Sequence, residues 1–149
     1  MLILKVKVIK DETLPIDTVI INCNTINDNV NEVINILENY DNKIVGKINN
    51  EKYFLQLSDI FYFEAVDNKV FAYTEKEVYE INYKILELID KLRDTSFIQT
   101  SRTIILNIDK IDHMSSLING RILAVLLNKE KQIITRAYAL DFKNKLARR

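Results

Sequence analysis

Two kinds of apolar spacing follow one another at the start of the chain. Leu2–Ile9 alternates apolar and charged positions, as a half-exposed strand does, and Thr18–Cys23 predicts a second short strand. Thr25–Asp28 then has the spacing of a capping box, and apolar residues recur at helical intervals across Ile26–Leu37. These patterns predict a ββα element.

From about residue 52 onward, short β-branched and aromatic runs replace this pattern. They predict a mainly β (α+β) fold of antiparallel strands. Helical spacing predicts a helix over Ile85–Leu92 and another over Ala137–Leu146. Asn119-Gly120 predicts a hairpin turn because both residues tolerate positive φ. The predicted strands are Tyr53–Leu57, Asp59–Ala65, Val70–Thr74, Glu77–Tyr83, Ile111–Ile118, Arg121–Leu127 and Gln132–Thr135.

The polar segment Asp41–Asn50 predicts a domain boundary, because it contains Gly46 and the pair Asn49-Asn50. Residues 1–45 are then an N-terminal ββα element for packing or dimerisation. Residues 46–149 form a separate β domain of small packed sheets with short helices.

Composition narrows the class of protein. The chain has 149 residues, of which 48% are hydrophobic and 28% charged, as in an ordinary globular protein. No apolar run approaches the roughly 20 residues that span a bilayer, and the first residues lack a signal-peptide cleavage pattern. The single cysteine excludes an intramolecular disulfide and a cysteine-built zinc site. We therefore expect a cytoplasmic protein.

Charge is distributed unevenly along this neutral chain. Residues 1–96 have 11 basic and 17 acidic residues, a net −6, whereas residues 97–149 have 10 and 4, a net +6. Such a chain can direct a cationic face at a polyanion and stay soluble. The competing interpretation is a chance imbalance in a short sequence.

The stretch Phe97–Asn107 reads FIQTSRTIILN. Its polar segment, Gln99–Thr103, lies between two segments with the composition of buried strand. No Gly or Pro marks an ordinary turn in it. Arg102 is a permanently charged fork donor among three hydroxyls and an amide, which suits phosphate oxygens and base edges. The alternative is a solvated bend with an exposed arginine.

Other candidate chemistry in the chain is better explained by structure. Asp109, Asp112 and His113 resemble a ligand cluster, but neighbouring strand residues point to opposite faces and one histidine cannot complete a zinc site. Phe61-Tyr62-Phe63 is capable of stacking bases, yet its setting favours a core strand. No catalytic triad, paired carboxylates or glycine-rich phosphate loop is present. We expect no enzyme activity, no metal and no cofactor.

Five short sequence motifs resemble the LytTR DNA-binding domain family over residues of about 52–147, in the order and at the spacing of that family. They are Asp59–Glu64 with Asp67–Lys69, Tyr83–Leu92, Phe97–Ser101, Leu106–Ile111 and Ile134–Tyr138. The ββα element is similar to that of stand-alone LytTR regulators, which lack a receiver domain.

The resemblance implies an antiparallel LytTR-type β fold and a bacterial transcription regulator. In a regulator of this family, loops rather than a recognition helix enter the major groove of duplex DNA. The resemblance also implies that such a protein binds repeated sites as a homodimer. A small membrane protein often accompanies them as a regulator. By position, the implied DNA-binding residues are Asn68, Lys69, Thr100, Ser101, Arg102, Thr135 and Arg136.

This sequence departs from the family at two positions. Arg102 stands where the family often has Asn, which exchanges an adenine-type reader for a guanine- or phosphate-type fork. Ala137 stands where a second arginine is common. Both changes put an inherited target sequence in doubt.

Two other functions remain open from the residues alone. A protein-interaction adaptor would use exposed β strands to pair with another chain. A small-molecule sensor would use the ββα element, although no sequence feature favours it.

Overall fold

The computed structural model of the chain describes residues 4–15, 17–38 and 43–148. The chain divides into two compact units, Met1–Asp41 and Asn42–Arg149, and each is described by itself.

The first unit contains the predicted helix, α1 (Asp28–Glu38). The Asn27 side-chain oxygen accepts a hydrogen bond from the Val30 backbone N–H at 3.0 Å, so Asn27 caps the first turn. The predicted cap, Thr25, lies before it.

The prediction of strands at Leu2–Ile9 and Thr18–Cys23 is wrong for residues 4–9 and 18–23, and residues 2 and 3 lie outside the described residues. Residues 4–15 and 17–23 form no strand. Alternation specifies only the direction of side chains, whereas a strand also needs a neighbouring backbone with which to exchange hydrogen bonds. In this unit Val6, Val8 and Ile20 are exposed.

The second unit confirms the mainly β fold. Residues 43–148 contain ten strands in two antiparallel sheets. The strands are β1 (Lys43–Ile48), β2 (Glu51–Gln56), β3 (Ile60–Val66), β4 (Lys69–Thr74), β5 (Val78–Ile81), β6 (Phe97–Gln99), β7 (Ile104–Asn107), β8 (Ile111–Ser116), β9 (Ile122–Leu126) and β10 (Lys131–Ile134).

The larger sheet has seven strands in the order β2-β1-β5-β4-β3-β7-β6, and the smaller has the order β10-β9-β8. Two helices accompany them, α2 (Ile85–Lys91) and α3 (Arg136–Ala147). The Asn119-Gly120 turn joins β8 to β9 with φ of 63° and 74°, which confirms the predicted hairpin.

The core lies on both faces of the larger sheet. On one face, Phe63 and Ile105 pack with Leu88 of α2. On the other, Tyr62 and Leu106 pack with residues of the smaller sheet and of α3. The central strands β3 and β7 are therefore covered on both sides, and the aromatic run Phe61-Tyr62-Phe63 is core, as predicted.

Two tyrosines stack within the second core region. The rings of Tyr62 and Tyr73 lie 4.4 Å apart and nearly parallel. Burial raises the pKa of both hydroxyls, and hydrogen bonds with Glu130 and Glu64 respectively raise their pKa further. Both phenols therefore stay protonated, and the Tyr73 hydroxyl donates to the Glu64 carboxylate at 3.3 Å.

Strand β1 was not predicted, because its sequence looks like a linker. Gly46 is needed where strands pack closely: a Cβ there would lie 2.7 Å from the Tyr79 Cβ and 2.8 Å from Leu55 Cδ1. Asn49 and Asn50 form the tight turn into β2, with φ of 49° and 70°. Residues that are typical of linkers therefore form the β1–β2 hairpin here.

The buried Asn107 side chain joins three segments of the second unit. Its amide nitrogen donates to the Ile60 carbonyl at 2.9 Å. Its oxygen accepts from the Ser96 hydroxyl at 2.7 Å and from the Asp109 backbone N–H at 3.1 Å. These three hydrogen bonds fix the start of β3, the start of β6 and the end of β7 relative to one another.

Replacement of Asn107 by leucine is expected to lower the free energy of unfolding by about 3 kcal/mol, because a side chain of similar size leaves three polar groups unpaired. Urea denaturation measures the change. Asn144→Leu, at an exposed position of α3, is the control and should change stability by less than about 0.5 kcal/mol. Equal stability of the two variants would contradict the assignment.

Candidate nucleic-acid interface

Two of the predicted segments meet because β3 and β7 are antiparallel. The turn that follows β3 contains Asp67 and Asn68, with φ of 50° and 64°. The loop that precedes β7 contains Arg102, and the Ala65 N–H donates to the Thr103 carbonyl at 2.9 Å. The end of β3 and the start of β7 are therefore neighbours, and both loops lie at one end of the second unit.

The third segment is fixed to the same loop through one carbonyl. The Thr100 carbonyl accepts from the Thr135 backbone N–H at 3.0 Å and from the Thr135 hydroxyl at 3.3 Å. Thr135 immediately precedes α3. This contact brings the start of the helix, with Arg136, beside the loop of the larger sheet.

Arg136 lies against the β8–β9 turn. A Cβ atom at Gly120 would lie 3.2 Å from Arg136 Cγ and 3.6 Å from its Cδ. The absence of a side chain at Gly120 therefore leaves room for the arginine stem, and the positive φ of this turn independently favours glycine.

Arg121 joins this group and was missed in the sequence. It follows the same turn, and its Nε donates weakly to the Ile118 carbonyl at 3.5 Å. Since Ile122 pairs with Ile134, Arg121 lies at the same end of the smaller sheet as Thr135. The hairpin signal at Asn119-Gly120 indicated a turn, but it did not indicate at which end of the second unit the turn lies.

The predicted side chains differ in exposure. Asn68, Lys69, Arg102 and Arg136 are exposed, while Ser101 and Thr135 are half-buried. Thr100 is the exception: it is fully buried, and its hydroxyl has no hydrogen-bond partner among the described residues. Its side chain cannot touch a ligand in this conformation, so any contribution is to the shape of the loop.

Local hydrogen bonds hold the 100–103 loop in the absence of glycine. The Ser101 hydroxyl accepts from the Thr103 N–H at 3.3 Å, and the Gln99 amide donates to the Arg102 carbonyl at 3.4 Å. These contacts engage the Ser101 hydroxyl and the Arg102 carbonyl and leave the Arg102 guanidinium exposed.

Charge follows the division into units. Residues 1–41 have 3 basic and 7 acidic residues, a net −4, and residues 42–149 have 18 and 14, a net +4. The interface itself gathers Lys69, Arg102, Arg121 and Arg136, with one ion pair from Lys69 Nζ to Glu80 Oε1 at 3.7 Å. The first turn of α3 adds the partial positive charge of a helix start. The charge of this surface favours anions over cations.

The pair of residues considered as metal ligands behaves differently from the expectation. Asp112 and His113 were expected to point to opposite faces of a strand, but their side chains are in contact at 2.7 Å. The register of β8 shifts between Ile111 and His113, and this irregularity changes the alternation. No group of three or more metal-ligating side chains occurs in the described ranges.

None of the helices within residues 4–15, 17–38 and 43–148 is long and apolar enough to cross a membrane.

Comparison with known proteins identifies one family. Residues 50–147 match the LytTr DNA-binding domain. A solved LytTr DNA-binding domain of a methyl-accepting/DNA response regulator from Bacillus cereus has the same fold, with a TM-score of 0.68 and 24% identity; the match covers 71% of this chain and 97% of that one.

Curated relatives extend the similarity in two directions. A sensory transduction protein LytT of Enterococcus faecalis is 29% identical over 94 residues, which is 63% of this chain and 39% of the relative. This chain thus matches less than half of that protein. An uncharacterized HTH-type transcriptional regulator of Staphylococcus aureus is 28% identical over 123 residues, 81% of this chain and 83% of the relative.

Thr100→Val is expected to raise the free energy of unfolding by about 1 kcal/mol, because it removes a buried hydroxyl that lacks a partner and preserves shape. Thermal and urea unfolding measure the effect. Thr103→Val, at an exposed position of the same loop, should change stability by less than about 0.5 kcal/mol. A loss of stability in Thr100→Val would indicate that the hydroxyl is paired after all.

Proposed function

The chain belongs to the LytTr DNA-binding domain family, and on that premise we propose that it is a sequence-specific transcription regulator that binds duplex DNA. The observation that carries the proposal is the meeting of three loop segments at one end of a net-positive unit. The family is one of DNA-binding domains rather than of enzymes. Since its ligand is the chromosome, the proposed place of action is the cytoplasm.

The loops divide the work between position and sequence. Phosphate contacts fix a protein on the duplex, and contacts to base edges specify the site. Arg102 is the proposed base reader, because its exposed fork matches the two acceptors of guanine in the major groove. Lys69 is a second reader from the β3–β4 turn, with Asn68 and Ser101 beside these two cations.

Arg136 has the character of a phosphate contact. Its backbone N–H belongs to the first turn of α3, where the helix dipole also favours an anion. Thr135 and Thr100 support it indirectly, since their hydrogen bonds hold the helix start beside the loop. Ala137 contributes no charge there, so the phosphate contact depends on one arginine.

Loops rather than a recognition helix are the proposed reading elements. In the described residues, strands separate each helix from the next, so no two helices form a helix-turn-helix pair. Helix α3 presents its first turn to the interface, while Ala139 and Phe142 are buried in the core. The helix therefore supplies an end, not a face.

A homodimer on repeated sites is part of the proposal. Two copies on adjacent half-sites would combine two modest interfaces into one specific contact. The part of the predicted N-terminal element (residues 1–45) that lies in the first unit is the proposed packing or dimerisation element, because apolar side chains such as Val8 and Ile20 are exposed in it.

A small membrane protein is the proposed controlling partner, on the family resemblance alone. Co-purification of the two proteins in detergent tests this idea, and no association would remove it.

Arg102→Ala is expected to weaken binding to a specific site by about 1–3 kcal/mol and to relax the preference at one base position. Fluorescence anisotropy would use duplex DNA from upstream of the protein's own gene, with random duplex as competitor, at two salt concentrations. Arg93→Ala is the matched control, because Arg93 is an exposed arginine paired with Asp90 at 2.8 Å and lies outside the proposed interface.

The outcomes separate the alternatives. An equal loss on specific and random DNA would make Arg102 a phosphate contact. If the wild type bound neither duplex at low salt, the DNA-binding proposal would fail, and the adaptor that uses exposed β strands would take its place.

The double variant Val8→Asp/Ile20→Asp is expected to shift a homodimer to the monomer, because each carboxylate would be buried in an apolar contact. Sedimentation velocity over a range of concentrations measures the shift. The control is Leu86→Asp, which alters an apolar side chain of α2 with comparable exposure, 80% against 89% and 76%. A wild type that is monomeric both free and on DNA would contradict the dimer.

A further inference from the structure

At β1, β2 and β5, one face of the larger sheet carries an exposed row of lysines that the linear sequence does not reveal. Lys47 of β1 pairs directly with Lys52 of β2 and, on its other side, with Glu80 of β5. Directly paired residues point to the same face of a sheet. Lys43 lies four residues before Lys47 on β1 and so shares that face. All four side chains line one open groove of about 560 Å³.

This row is separate from the core on the other side of the same strands. Ile44 and Leu55 are buried beneath β1 and β2, whereas the three lysines are exposed. Replacement of the lysines therefore removes no core packing.

The direct pairing of Lys47 with Lys52 has an energetic cost. Like charges on directly opposite residues destabilise an antiparallel pair. Glu80 offsets part of this repulsion, but it also lies 3.7 Å from Lys69 and is shared between two cations. With Lys69 included, four lysines and one glutamate leave a formal charge of +3 at neutral pH. An external polyanion would relieve the repulsion.

The row is continuous with the interface already described. Lys69 begins β4 beside the Asp67–Asn68 turn, and its contact with Glu80 joins that turn to the row. From β4 to β2 there are three strand intervals, about 14 Å at normal spacing. The major groove is about 12 Å wide, so backbone bordering a groove that receives the turn lies within reach of the row.

We propose that Lys43, Lys47 and Lys52 form a phosphate-binding strip that extends the DNA contact from the Lys69 turn across β5, β1 and β2. The inference rests on the proposed function and names a surface that the loops do not include. The strip contacts only phosphates, so it adds affinity without sequence preference. Glu80 limits this affinity, because it competes with phosphate for Lys47.

The test compares three variants of the full chain by anisotropy on specific and random duplexes over a salt series. Lys47→Gln/Lys52→Gln is expected to weaken binding to both duplexes by the same factor, roughly tenfold, and to reduce the slope of log K against log salt by about 2. Glu80→Gln is expected to strengthen both, roughly threefold. For the Lys47→Gln/Lys52→Gln variant, the ratio of specific to random affinity stays constant.

The control pair removes the same charge at the other end of the unit. Lys76 and Lys129 are exposed in the β4–β5 and β9–β10 turns, so Lys76→Gln/Lys129→Gln should leave the salt slope unchanged. Thermal unfolding without DNA checks the fold, and the Lys47→Gln/Lys52→Gln variant should be at least as stable as the wild type.

Each result has one meaning. Wild-type DNA binding that the Lys47→Gln/Lys52→Gln variant retains in full overturns the strip and leaves the proposed function intact. Absence of wild-type binding to any duplex overturns the proposed function itself. Loss of binding to vesicles of anionic phospholipid, with DNA binding unchanged, would assign the strip to a membrane surface and overturn the inference.

Discussion

The structure depends on burying β3 and β7 from both sides. Their alternate side chains enter two separate core regions, one beneath α2 and one beneath the smaller sheet and α3. β4, β6, α2, the smaller sheet and α3 lie against this pair, and β5, β1 and β2 extend the larger sheet outward from β4. The loops at one end of the pair can vary in chemistry because they contribute little to either core region, and this is the arrangement expected of a rigid scaffold with a variable binding edge.

The Thr100 carbonyl connects the larger sheet to the junction between the smaller sheet and α3. Thr100 belongs to the larger sheet's loop, and Thr135 belongs to the junction between β10 and α3. Their two hydrogen bonds mean that the positions of Arg102 and Arg136 are not independent. A duplex that contacts both arginines meets an interface whose spacing is already fixed, which reduces the entropy lost on binding.

Much of the second unit was predictable, because its strands are short, alternating and separated by residues with clear turn chemistry. The polar segment Gln99–Thr103 was also recognisable as a candidate binding loop, since it interrupts two apolar segments without a glycine or proline. What the sequence could not indicate was pairing. Gly46 suggested a linker, but in the structure it packs closely against Tyr79 and Leu55. The lysine row exists only because β1 pairs with both β2 and β5. Conversely, the alternation of Leu2–Ile9 produced no strand in the described residues.

The contact between Gly120 and Arg136 has a consequence for the residues that either position accepts. A Cβ at position 120 would lie 3.2 Å from Arg136 Cγ, so a side chain there requires the arginine stem to move. A larger residue in the turn would displace the cation, and a different residue at position 136 would relax the steric demand for glycine, although not the positive φ. These two positions, sixteen residues apart in the chain, are therefore coupled by direct contact: the start of α3 accepts only side chains that this hairpin can accommodate.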